Sequence, residues 1–154
     1  MTKDDREKLL ALVSEAFADV PPPEIGAGLR LADFRECVGW GFGRFADNAG
    51  SEDVKARAEK LQARDASDRC WADLPDWEIE GLWDGLRWLS PPAFRFYYPA
   101  YLSYTIRHSD APLTMAHQAI DQFWHRPDLI SEFTARETEA VAAALIELGA
   151  EDAG

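Results

Sequence analysis

The sequence predicts an all-α, single-domain protein, a compact bundle of five to six helices, and three observations carry that reading. Apolar residues recur at the helical spacing in several separate segments. Prolines, Ser and Thr caps and a late glycine bound those segments as helix start and stop signals. Strand-like alternation and tight hairpin turns are missing from the pattern. With 154 residues, 47% hydrophobic and 12% aromatic, the chain can bury one substantial core without a disulfide or structural metal.

The elements follow in order. Residues 3–19 place Leu9, Leu10, Val13, Ala16, Phe17 and Val20 on one stripe, and Pro21, Pro22 and Pro23 end it. Residues 21–50 read as irregular. Phe34, Val38, Trp40, Phe42 and Phe45 supply apolar mass there, but Gly39, Gly41 and Gly43 weaken any regular element. A short helix from Ala32 and at most a minor strand over 25–31 are expected. Ser51 is placed to cap EDVKARAEKLQARD, whose acids precede its bases as the helix dipole favours. Only Val54, Ala58 and Leu61 mark an apolar stripe, so this helix reads as largely solvated.

Residues 65–74 form a polar connector containing Cys70 and Trp71. Pro75 then opens a helix carrying Ile79, Leu82, Trp83, Leu86 and Leu89 at helical spacing. Ser90 and Pro91 start the next helix, which runs to His108 and which Pro99 should kink or split. Phe94, Phe96, Tyr97, Tyr98, Tyr101 and Tyr104 make it the expected centre of the fold. Leu113, Ala116, Ile120, Phe123 and Trp124 define a further helix that Pro127 closes. Thr134 to Glu137 forms a capping box for the last helix, Gly149 is its expected stop, and 150–154 reads as a flexible tail.

The 28 acidic and 16 basic residues give a net charge of −12, spread along the chain. Phosphate neutralisation needs a Lys/Arg footprint, so direct binding to nucleic acid is not expected, and neither is an anionic membrane surface. The charge fits simple solubility, or a surface complementary to a basic protein. Cys37 and Cys70 are too far apart for a CxxC pair and read as two reduced, buried thiols. The opening MTKDDREKLL lacks a signal-peptide core, and no apolar run reaches the ~20 residues of a membrane span. A cytoplasmic location is expected.

Four stretches carry a family resemblance. LRWLSPPAFRFYYPAYL (86–102) resembles FLTPEAFRYYLPAYL, a mid-chain signature of small acidic bacterial proteins of unknown function. EAFADVPPP and FTARETEAVAAALIEL are similar to the opening and closing elements of those proteins. WADLPDWEIEGL is similar to the lead-in of their central motif. Pro92 stands where they carry an acid, Tyr98 where they carry leucine, and GWGFGRF has no counterpart. The resemblance implies a shared fold and a bacterial origin, and no chemistry.

His117, Asp121 and His125 fall at i, i+4 and i+8, but helical arithmetic turns them away from the apolar stripe, so a solvated face is expected rather than a metal site. Gly39, Gly41 and Gly43 have Arg44 where a dinucleotide fingerprint needs glycine. Neither a metal nor another cofactor is expected, and no catalytic residue is assigned. The acidic run Asp73, Asp76, Glu78, Glu80 and Asp84 surrounds Trp77, a pattern suited to steering and anchoring a basic protein. Its plainer reading is a solvated helix start.

The leading functional expectation is therefore a non-enzymatic protein-binding module, an inhibitor or immunity-type partner of a basic protein. One alternative is a small-ligand binder or enzyme whose pocket at residues 91–108 draws on Arg95, Tyr97, Tyr98, Tyr101, Tyr104 and His108. Another is a homo-oligomeric structural protein. The oligomeric state stays open.

Overall fold

The structure, a computed structural model, describes residues 1–39, 52–111 and 126–152. It is all-α, and no strand occurs among the described residues. Six α-helices are described: α1 (Lys3–Ala16), α2 (Leu29–Gly39), α3 (Glu52–Ala66), α4 (Asp76–Gly81), α5 (Pro91–Arg107) and α6 (Ala135–Asp152). Short 3₁₀ turns at Trp71–Asp73, Gly85–Trp88 and Pro127–Ile130 link them. The expected helix before Pro127, with His117, Asp121 and His125, lies outside the described residues, as do Ser51, Gly41 and Gly43.

Helix α5 is the axis of the fold. Thirteen of its 17 residues are buried, from Ala93 to Ile106, so it is apolar all round rather than amphipathic. Pro91 occupies its first turn, where the missing N–H costs nothing, and the helix continues through Pro99 without splitting. Ser90 holds the cap position, yet its hydroxyl makes no capping bond. Helices α1 and α6 pack together and against α5, burying Leu9, Val13, Val141 and Ala144. Phe17 meets Phe133 edge-on, and Phe133 in turn lies over Phe94.

Both outer helices start as their sequences dictate. Thr2 and Asp5 close a capping box at α1. At α6 the Glu137 N–H donates to Thr134 Oγ1 at 3.2 Å, and the Thr134 N–H returns the bond to Glu137 Oε2. Arg95 on α5 grips the same Glu137 carboxylate through Nε and Nη2, with a shortest contact of 2.6 Å. Helix α6 runs past Gly149 to Asp152, so the expected stop does not act.

Three other expectations are corrected. The strand at 25–31 gives way to a turn and the start of α2, three residues before the expected Ala32. The reason is distant in sequence: Asp65, in the last turn of α3, accepts the N–H groups of Arg30 at 3.1 Å and Leu31 at 3.0 Å. A carboxylate from another helix thus caps α2. The single helix expected after Pro75 breaks after Gly81, and the Leu82 carbonyl accepts the Tyr101 hydroxyl at 2.5 Å. Gly85 then passes so close to Leu29 that a Cβ would lie 2.8 Å from its Cδ1. Finally, Cys37 and Cys70 are exposed, not buried. The interior position beside Cys70 belongs to Trp71, whose indole N–H donates to the Phe17 carbonyl.

Gly28 marks the tightest approach between α2 and α3. A Cβ there would fall 2.3 Å from Asp65 Cβ and Cγ. Gly28→Ala must push α2 off its cap, and we expect a loss of about 1–3 kcal/mol in urea unfolding. An unchanged midpoint would show that the two helices yield freely.

Candidate functional site

The polar centre of the molecule is Arg30. It is only 6% exposed and meets three carboxylates. Nε donates to Glu78 Oε2 at 2.5 Å, and Nη1 donates to Asp68 Oδ2 at 2.7 Å and Asp65 Oδ1 at 3.2 Å. Arg64 donates to the other Glu78 oxygen at 2.5 Å, and the Tyr97 hydroxyl donates to Asp68 at 2.9 Å. One cluster thereby ties α2, α3, α4, α5 and the segment after α3.

The environment shifts four of these groups, Glu78, Asp65, Tyr97 and Arg30, in definite directions. Burial alone raises the Glu78 carboxyl, but hydrogen bonds from Arg30 and Arg64 outweigh it and hold Glu78 below its ordinary value. Burial raises Asp65 more than its four hydrogen-bonding and charge contacts lower it. Burial and the nearby Asp68 charge push the Tyr97 phenol up, so it stays protonated as a donor. The guanidinium of Arg30 is opposed by burial yet held firmly charged by Glu78 and Asp68.

Above this cluster lies an open groove of about 470 Å³ between α2, α3 and α4. Phe34, Leu61, Leu82 and Trp77 form its apolar walls. Trp77 stands 68% exposed on α4, while its neighbours Glu78 and Ile79 turn inward. Arg57, Lys60 and Arg64 recur at i, i+3 and i+7 along α3, so one face of that helix presents them to the groove. Asp33 and Cys37 contribute from α2. Burial, with Asp84 nearby, raises Asp33. Local desolvation, with Asp33 and Glu36, raises the Cys37 thiol, the opposite of what an activated nucleophile needs.

The acidic residues singled out around Trp77 are largely engaged inside the protein. Asp76 pairs with Arg107 and, at 3.0 Å, with His108 Nε2. Burial raises Asp76, but hydrogen bonds from His108 and Arg107 prevail and lower it. Glu78 is buried, so its place on an exposed patch is corrected. Glu80 accepts the Tyr104 hydroxyl at 2.5 Å, and Asp84 pairs with Arg87 at 3.0 Å. Asp73 is exposed at the end of its 3₁₀ turn.

Among the described residues, the pockets found are not lined by the tyrosines, Arg95 or His108 of the alternative site. Tyr97, Tyr98, Tyr101 and Tyr104 are each at most 2% exposed and pack as core. Their hydroxyls serve separate segments: Tyr97 reaches Asp68, Tyr101 the Leu82 carbonyl and Tyr104 Glu80. Arg95 points to Glu137 on α6, and His108 stacks on Tyr104 with ring centres 4.4 Å apart. Among the described residues no group of three or more His, Cys, Asp or Glu side chains is arranged to hold a metal ion, and no helix is long and apolar enough to cross a membrane.

Sequence reasoning missed Arg30, Asp65, Asp68 and the α3 cations. A charged residue between Leu29 and Leu31, just after a glycine pair at 26 and 28, was the available sign of Arg30. Sorting α3 by face rather than by order would have brought Arg57, Lys60 and Arg64 together.

These features define a small all-α protein with a buried ion cluster beneath an aromatic-rimmed groove. The chain belongs to a family of unknown function, DUF6714, which matches residues 5–152. No curated protein and no solved structure matches it.

Removing the central cation leaves buried carboxylates without a counter-charge, so Arg30→Met is expected to lose about 3–5 kcal/mol in urea unfolding. The acid limb has a worked sign. Glu78 is depressed below 4.5 in the folded chain, so its contribution is present above that value and lost as pH falls through the depressed one. Asp65 is raised, so its protonation on acidification opposes that loss. Glu78→Gln should be less stable than wild type at about pH 7 but lose less stability on going to about pH 3. Parallel losses in the two proteins would remove Glu78 from the acid response.

Proposed function

We propose that this protein is a non-enzymatic recognition module of the cytoplasm that docks another protein on the face centred on Trp77. The observation that carries the reading is the exposure of that indole, 68%, at the rim of a groove whose lining combines apolar side chains with more cations than carboxylates. Large aromatics left in water beside a concavity are the residues that dominate binding energy when a partner covers them. Support also comes from α4, where Glu78 and Ile79 hold the helix from within while Trp77 faces out.

The experiment is a capture from the native host with the full chain carrying a photoreactive residue near Trp77, compared with the Trp77→Ala chain. A specific protein retained by wild type should crosslink beside the groove and lose at least about tenfold in affinity with Trp77→Ala, a typical anchor effect of about 1.4 kcal/mol or more. The variant should keep the wild-type helical circular dichroism. A partner held equally well by both chains would move the docking surface elsewhere.

A further inference from the structure

We infer that the Trp77 groove takes an acidic segment of a partner protein, one that sets an apolar side chain among Phe34, Leu61, Leu82 and Trp77 and its carboxylates against Arg57, Lys60 and Arg64. The inference rests on the Trp77 reading and adds the chemistry of the partner. Its ground is an inversion of charge. The whole chain carries 28 acids against 16 bases, yet the groove is lined by four cations and two carboxylates. Of these, Arg30 and Glu78 are spent on the buried cluster, which leaves the half-buried Asp33 against Arg57, Lys60 and Arg64.

The cations differ from the acids in being available. Among the described residues Arg57 and Lys60 have no ion-pair partner, although α3 itself carries Glu52, Asp53 and Glu59. Arg64 gives one guanidinium nitrogen to Glu78 and keeps its side chain 54% exposed. Asp76, Glu80 and Asp84, by contrast, already have internal partners. A basic partner would thus find most carboxylates beside Trp77 already bonded within the chain, and would meet Arg57 and Lys60 directly. The net charge of −12 repels an acidic partner at a distance, but that field is screened beyond about 8 Å at physiological salt. Contact pairs inside a groove that apolar residues desolvate are screened less, so local complementarity decides the outcome.

The test uses a display library of random peptides panned on the full chain, followed by affinities for the enriched peptides. Enriched peptides should be net negative with at least one large apolar residue. They should lose at least about tenfold in affinity with Trp77→Ala and with Arg57→Glu, Lys60→Glu, and a smaller amount with Arg57→Gln, Lys60→Gln. Lys3→Glu, Lys8→Glu on α1 changes the net charge equally far from the groove and should leave binding unchanged. Peptides that need Trp77 but are net positive, or that ignore Arg57 and Lys60, overturn this inference and leave the Trp77 reading standing. Peptides insensitive to Trp77→Ala, or no enrichment, overturn both. Retention of 8-anilinonaphthalene-1-sulfonate in the groove with no peptide enriched would assign it to a small organic anion and also overturn the inference.

Discussion

The fold depends on a fully ionised arginine being acceptable in its interior. Burying a guanidinium without partners costs far more than a small domain can offset, so Arg30 is tolerable only because Asp65, Asp68 and Glu78 surround it. The condition works in both directions. Asp65 and Glu78 are themselves nearly inaccessible, and Arg30 is the counter-charge that the three carboxylates share. Each member therefore fixes the position of the others, and the helices that carry them come along. Asp65 adds a second constraint, because Oδ1, which faces the Arg30 guanidinium, also accepts the Arg30 backbone N–H, while Oδ2 accepts that of Leu31 at the start of α2. Gly28 is required at the same point, since only a residue without a side chain lets α2 and α3 approach this closely.

Such a cluster is weak evidence for stability as such, because apolar residues of equal volume often do as well or better. Its effect here is on arrangement. Helix α4 has six residues, too few to form in water alone, and α3 has a thin apolar stripe. Apolar packing by itself would let either element slide. Directional bonds from Arg30 and Arg64 to the two oxygens of Glu78 fix α4 against α2 and α3. The tyrosines of α5 extend the same logic, since their rings fill the core while their hydroxyls tie down Asp68, Leu82 and Glu80.

What could be read from the sequence was local. The helical class, the aromatic centre at α5, the Thr134 to Glu137 box and the stop before Pro21 all arise from residues within a turn or two of each other, where spacing and capping chemistry act directly. The start of α2 was misplaced because its cap comes from Asp65, some thirty-five residues away. The helix after Pro75 was drawn too long because the periodic residues continue past Gly81, while Tyr101 captures the Leu82 carbonyl from across the core. The acidic run was legible as composition but not as accessible charge. Whether Asp76, Glu78, Glu80 and Asp84 face solvent or a partner is set by Arg107, Arg30, Tyr104 and Arg87. Trp77 was the exception, since the Ile79 stripe already left it on the outer side.

The buried cluster and the exposed face are two sides of one short helix. Ordering a loop or a long side chain on association subtracts from affinity, so an anchor that is already held in place binds with less loss. Glu78 supplies that hold. Its neighbour Trp77 faces outward, while Glu78 and Ile79 occupy the inner side of α4. A large indole in water is tolerable on such a support only at the expense of apolar surface left uncovered, and the groove beside it adds more of the same. Replacing Arg30 by a well-packed apolar residue could preserve a core, but it would remove one of the two cations that hold Glu78 and loosen the support of α4 beneath Trp77. The ionic interior is therefore better understood as what fixes the geometry of the outer face than as a reserve of stability.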